Sequence, residues 1–423
     1  MMKIGDRIRF FRIQQGKTQD ELANGIISIS YLSKIENNQS LPSLEVVDML
    51  CERLGIRFLD EEEPTLLEEL MVWYKRLVHG EIEAVKSTYP ILKDKVISSN
   101  DSTTLIHFIL FEFRYFLHIG EKEAAKKTLE KITQISDIFT DDLNYYYHKF
   151  IGLHEYMQEQ YSYAYDSYKK AEGILLRNVF EKWEEADLYY SLGLTSSRLW
   201  KVTLCLNYTN QALAIYQAQY NFNRSAECQI LLGISYRRTN DLKKAEESYL
   251  LADKIATTLN NSSFKGFIHH NLGYLYTIEG KSELAIKHYE KSILFHEQHN
   301  YKKTFPSIHC IIMEYFNKSD YSNGLRWVEV GLNKIPDSMD SMEYYYHFKT
   351  YQHLMSNANE ESSEMEFFLK EKVIPYFESH NNYKYIAEYS EMLAGYYEKH
   401  FKYKNASLFY KLSNKSLKKI NNI

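Results

Sequence analysis

The chain has 423 residues, 44% of them hydrophobic and 25% charged, with a formal net charge of −5. That length exceeds one ordinary domain and is ample for a large core, and the composition excludes a disordered chain. The acidic balance excludes a protein that coats nucleic acid or anionic lipid over its whole surface, so any DNA contact has to be local. With 16 glycines and only 6 prolines against 37 tyrosines, hairpin signals are scarce, and an all-α fold is expected. Cys51, Cys205, Cys228 and Cys310 stand far apart with no C-x-x-C pair, which points to neither a disulfide framework nor a zinc site and fits a reducing compartment. The opening MMKIGDRIRFFRI is charged throughout, and no apolar run of about 18 residues occurs; a cytosolic protein without membrane contact is expected.

The first sixty residues read as five short helices. Ile4, Ile8, Phe10 and Phe11 form one apolar stripe, ended by Gly16. Thr18, with Glu21 three residues on, makes a capping box for a second helix carrying Leu22 and Ala23, ended by Gly25. Ser28 caps a third, in which Ile29, Leu32 and Ile35 are expected inward and Ser30, Tyr31, Ser33 and Lys34 outward. After the Leu41-Pro42-Ser43 turn, Ser43 caps a fourth helix bearing Leu44, Val47, Leu50 and Leu54, which stops at Gly55. Residues 1–40 carry six Lys/Arg against four acids, a modest local excess.

The pattern T-Q-x-E-L-A, then Y-L-S-K-I-E-N, then P-S resembles the Xre/Cro-type helix-turn-helix over residues 1–59, whose third helix enters the major groove of double-stranded DNA. The resemblance implies that Thr18, Gln19, Asn37, Asn38 and Ser40 meet backbone phosphates, and that Ser28, Ser30, Tyr31 and Lys34 face bases or adjacent phosphates. A single module supplies few contacts, so a dimer reading two half-sites is expected. The acidic run Asp60-Glu61-Glu62-Glu63-Pro64 reads as a solvated linker over 60–65.

From 66 to 423 the chain repeats. Leu-Gly pairs at 192/193, 232/233 and 272/273 recur every 40 residues, each Leu followed thirteen residues later by Cys205, Ala245 or Ala285. The frame continues through Tyr249, Tyr289, Ala212 and Ala252, back to Gly152, Ala164, Tyr168 and Ala171, and forward to Leu393, Ala406 and Tyr410; NYYYHKF at 144–150 is echoed by EYYYHFK at 343–349. Bulky residues alternating with small ones at these spacings describe antiparallel helix pairs in close contact, and the aromatic excess reads as packing between them. About nine units are counted, and they resemble tetratricopeptide repeats stacked into a right-handed superhelix with a concave inner wall. Glu112 occupies a position where an apolar residue is expected. By repeat position the wall is built from Arg114, Lys149, Tyr156, Tyr190, Arg198, Arg237, Arg238, Asn271, Tyr274 and Asn317, a set whose amides and guanidinium groups suit the backbone and carboxylates of an extended peptide.

His288, His296 and His299 have the look of a metal helix, but 296 and 299 are three residues apart where H-E-x-x-H needs four, so exposed helix histidines and no metal are expected. No nucleophile elbow, Walker loop or dinucleotide fingerprint occurs, and the sequence makes no case for an enzyme or a cofactor.

An Xre-type head joined to a long tetratricopeptide array resembles the peptide-quorum-sensing regulators grouped as Rap, Rgg, NprR, PlcR and PrgX, and length and repeat number are most similar to NprR. The resemblance implies a cytosolic transcription regulator that binds a short secreted and re-imported signalling peptide in its groove and forms a homodimer or higher homo-oligomer. A second function is implied by the Rap branch, in which a peptide-controlled array binds a phosphorelay response regulator and inhibits sporulation signalling.

Overall fold

In the computed structural model, residues 3–56, 64–99, 101–297, 301–335, 342–356 and 363–420 are described, and those residues hold helices and no strand. The chain divides into two compact units, Met1–Thr239 and Asn240–Ile423. Of the expected linker over 60–65, residues 60–63 lie outside the described residues, as does His299, while Pro64 and Thr65 open a helix.

Within the described residues 3–56 the first unit opens with four helices, α1 (Ile4–Gln14), α2 (Gln19–Ala23), α3 (Ile29–Glu36) and α4 (Leu44–Leu54). The stop and start signals act as the sequence predicts. Thr18 and Glu21 form the reciprocal capping box, Ser28 accepts from Tyr31 N–H, and Ser43 accepts from Val46 N–H. Gly16, Gly25 and Gly55 turn the chain at positive φ of 67°, 73° and 66°. Ile8, Phe10, Phe11, Leu22, Leu32, Ile35, Val47, Leu50 and Leu54 close one core. One expectation fails. Ile29 is 46% exposed, as is Leu44 at 69%, because each opens its helix and precedes the turn that packs.

The helix pairs follow. The first unit holds α5 (Pro64–His79) with α6 (Ile82–Ser98), α7 (Ser102–Ile119) with α8 (Lys122–Ile135), α9 (Asp141–Met157) with α10 (Tyr161–Leu175), α11 (Lys182–Arg198) with α12 (Val202–Ala218), and then α13 (Phe222–Arg238). The second unit holds α14 (Leu242–Thr258), α15 (Ser262–Ile278) with α16 (Ser282–Glu297), and α17 (Phe305–Asn317) with α18 (Tyr321–Lys334). It continues with α19 (Met342–Ser356), α20 (Ser363–Phe368), α21 (Ile374–Ser379), and α22 (Tyr383–Lys399) with α23 (Tyr403–Ile420). A π-turn over Leu369–Val373 joins α20 to α21.

The 40-residue period has a physical basis at two points. One or two residues beyond the first helix of a pair the backbone is left-handed at Gly80, Gly120, Glu159 and Trp200 in the first unit, and at Gly280 and Ser319 in the second. The Leu-Gly glycines make room for the partner helix. A Cβ on Gly152 would lie 2.8 Å from the Tyr168 ring, one on Gly273 2.6 Å from Tyr289, and one on Gly193 2.5 Å from Thr209 Oγ1. Where the glycine meets a tyrosine, it admits a whole ring rather than a closer backbone. The frame slips in the last pair, where Phe409 is buried and Tyr410 is 38% exposed. Glu112, at its anomalous site, is satisfied by the Tyr89 hydroxyl at 2.5 Å and Lys93 Nζ at 3.1 Å.

The head packs on the array within the first unit through α1. Phe10, Ile13 and Gln14 line a cavity of about 160 Å³ with Leu105, Phe108, Ile109 and Ile135 among its other walls, and Arg9 reaches Asp137 at 2.5 Å.

Candidate nucleic-acid interface and ligand wall

The head is tied together around Glu36, which is 1% exposed at the end of α3. Arg12 of α1 donates through Nε to Oε1 at 2.6 Å and through Nη2 to Oε2 at 2.8 Å, and Gln19 Nε2 of α2 donates to the same Oε2 at 2.8 Å. One buried carboxylate thus sets the angles of three helices. Gly5 lets α1 cross the end of α3, since a Cβ there would fall 2.0 Å from Ile35 O.

The predicted contact residues fall in two groups. Thr18, Ser28, Ser30 and Lys34 are exposed, and Tyr31 is half-buried beside them. Gln19 is held by Glu36, Asn37 Nδ2 donates to Ser33 O at 2.8 Å, and Asn38 Nδ2 donates to Asp6 Oδ1 at 2.7 Å from a backbone with φ 55°. The last three are therefore oriented from within the head. Ile29 joins the exposed face of α3. Its place as the first helical residue is the sequence signal for this, and an apolar side chain there suits a thymine methyl.

Of the expected ligand wall, the first unit brings together Tyr156, Arg198 and Arg238. Arg198 Nε donates to the Tyr156 hydroxyl at 3.1 Å and its guanidinium lies 5.9 Å from the Tyr161 ring. Arg238 Nη1 donates to Ser197 O at 2.5 Å and Oγ at 3.0 Å, and its guanidinium covers Trp200 at 4.2 Å. That contact supports a tryptophan in a left-handed backbone, which costs about 1–2 kcal/mol for an L-residue. Arg114, Tyr190 and Arg237 are half-buried on α7, α11 and α13.

Lys149 does not belong to an open wall. It is 3% exposed and pairs with Asp187 at 3.0 Å, its ammonium 5.9 Å from the Tyr74 ring of α5. Burial alone raises the Asp187 carboxyl, but Lys149, Arg224 and Arg114 outweigh it and hold the group below its ordinary range. Sequence position could not reveal that α5 covers this sector. In the second unit, Tyr274 is 39% exposed, Asn317 is exposed, and Asn271 is half-buried, its Nδ2 donating to Phe267 O at 2.9 Å.

Of the histidines expected at the surface, His296 is buried and His288 half-buried. His296 is 2% exposed and stands edge-on to Phe267 at 5.1 Å, over the space Gly266 leaves. His288 Nδ1 meets His269 Nδ1 at 3.2 Å. Tightly packed pairs leave no outer face to a residue that points at the neighbouring helix. Among the described residues no group of three or more His, Cys, Asp or Glu is placed to hold a metal ion, and no helix is long and apolar enough to cross a membrane.

A helix-turn-helix head on a stack of tetratricopeptide-like helix pairs is the architecture of a DNA-binding regulator with a receptor array. A family model described as helix-turn-helix matches residues 8–60. The transcriptional activator NprA of Geobacillus stearothermophilus is 43% identical over 407 residues, covering 95% of this chain and all of that protein. The chain belongs to that family, the NprR-like helix-turn-helix and tetratricopeptide regulators. Its fold is similar to the apo form of the quorum sensor NprR from B. thuringiensis, with a TM-score of 0.74 at 18% identity over 84% of this chain and 99% of that one. NprR in complex with its cognate peptide NprX is similar at a TM-score of 0.61, 19% identity, over 85% of this chain and 99% of that one.

Proposed function

We propose that the protein is a cytosolic quorum-sensing transcription regulator. In this reading residues 1–59 bind DNA, 60–65 join the two parts, and 66–423 receive a short signalling peptide and build a homo-oligomer. The observation that carries it is the family membership over 95% of the chain combined with an α3 whose Ser28, Ser30 and Lys34 stand clear of the head's core. Thr18, Gln19, Asn37 and Asn38 position the head on phosphates, while Ser28, Ser30 and Tyr31 face the bases. Arg198, paired with the Tyr156 hydroxyl, and Arg238 take a peptide's carboxylates. Peptide acts by favouring one arrangement of the array, and a peptide binding both arrangements equally would change nothing.

The test uses the full chain. A DNA site is selected from a random duplex pool, and its affinity is measured by fluorescence anisotropy with and without a library of short synthetic peptides carrying free termini. At least one peptide should shift DNA affinity about fivefold or more. Titration of that peptide by calorimetry, with Arg198→Ala weakening it tenfold, assigns the wall. DNA affinity that no saturating peptide alters rejects the coupling.

A further inference from the structure

In a stack of helix pairs each first helix meets the next one, but α5 reaches much further. Tyr74 stacks on Phe111 of α7 at 4.2 Å, meets Tyr146 and Phe150 of α9 at 5.7 and 5.6 Å, and lies 5.4 Å from Trp183 of α11. The last turn reaches α13: Arg224 Nη2 donates to Val78 O at 2.6 Å, across 146 residues of sequence. That oxygen is one of the four carbonyls a helix leaves unpaired at its C-terminus, where a cation is also favoured by the helix dipole.

Arg224 does more than cap. It lies 3.6 Å from Asp187 of α11, pairs with Glu227 at 2.7 Å, and its guanidinium sits 5.5 Å from the ring of Tyr190. Tyr190 is one of the proposed ligand-facing residues, and Asp187 holds Lys149 of α9. A single side chain therefore touches the wall and the end of α5, whose Tyr74 stacks on the α7 that packs against the DNA-binding head. Tyr74, Leu70 and Leu77 are each at most 1% exposed, so α5 is a rigid element rather than a loose strap.

Resting on the peptide-receptor reading, we infer that Arg224 is the positioning residue of an internal clasp: by fastening the C-terminus of α5 to the wall at Tyr190 and Asp187, it passes a change at the wall through α5 to the head. Arg224 touches neither DNA nor peptide in this scheme. Its role lies in the coupling between the two, a quantity separable from either affinity.

The experiment uses the full chain, the selected DNA site, and the peptide of highest affinity from the synthetic library. Arg224→Lys keeps the charge that Asp187 and Glu227 face but loses the second prong to Val78 O. Peptide affinity should stay within about threefold of wild type, while the peptide-induced change in DNA affinity falls from fivefold or more to below twofold. An unchanged coupling factor in a folded Arg224→Lys protein overturns the clasp. Hydrogen exchange of the amides 74–79 in the wild type serves independently of any variant: peptide should change their rates at least fivefold, and unaltered rates alongside a normal DNA response overturn it. Failure of every peptide to bind the wild type removes the receptor reading and the clasp with it, whereas peptide binding and DNA response with a silent α5 remove the clasp alone.

Discussion

Removing the Arg12 guanidinium should cost the head far more than its surface position in sequence implies. Glu36 is 1% exposed and receives two hydrogen bonds from Arg12 and one from Gln19. In Arg12→Ala the carboxylate loses two of these three donors and the cation paired with it, and breaking a buried pair on one side costs about 3–5 kcal/mol. A head of some 55 residues has a total stability of roughly 3–8 kcal/mol at ordinary values per residue, so the variant should hover near local unfolding. The double change Arg12→Met with Glu36→Leu removes both charges together and should lie within about 1.5 kcal/mol of wild type, since such swaps are often neutral. Native-state hydrogen exchange of Leu32 and Ile35 in the full chain reads the opening free energy of the head without requiring it to fold alone. An Arg12→Ala cost below about 1 kcal/mol, or a double variant as unstable as the single one, would refute the reasoning. The double variant should still bind DNA more weakly, because Gln19 loses the partner that orients it.

Three further outcomes follow from the same structure. Gly273→Ala places a Cβ 2.6 Å from the Tyr289 ring and should destabilise by about 1–3 kcal/mol in urea melts, whereas Gly395→Ala, with nothing within 4 Å, should gain about 0.5–1 kcal/mol. Burial keeps His347 neutral down to a pKa of about 3, and burial first, then nearby cations or a second imidazole, takes His269 and His288 down to about 4. The unfolded chain therefore takes up protons first, and stability present above pH 7 should drain away as pH falls from about 6.5 towards 4; His347 alone removes about 2 kcal/mol by pH 5, and NMR signals of a charged imidazole at His347 at that pH would contradict this. Lys34→Ala should weaken DNA binding to all sequences alike and lower the salt dependence of log affinity by about one, and a sequence-selective loss in anisotropy titrations would instead place Lys34 on a base.

The head and the helix pairs were legible in one dimension because their signals are local. A capping box spans three residues, and a left-handed turn recurs every 40 because each pair must reverse at the same point. What failed was orientation at the margins of elements and between distant ones. Ile29 was placed inward by periodicity, yet a helix's first residue lies outside its packed turns. His296 was placed outside, yet a glycine on the facing helix opens a slot for its ring.

Local chemistry along the chain, then, determined that this protein is helical, where its turns fall, and which face of α3 is polar, since caps, glycines and apolar spacing act within a few residues. Only the tertiary structure decided that Glu36 ties three helices, that Lys149 is buried against Asp187, and that Arg224 grips the end of α5. Those facts depend on which side chains meet across tens to hundreds of residues, and the free energy of a buried charge is set by the partner it finds there, not by its neighbours in sequence.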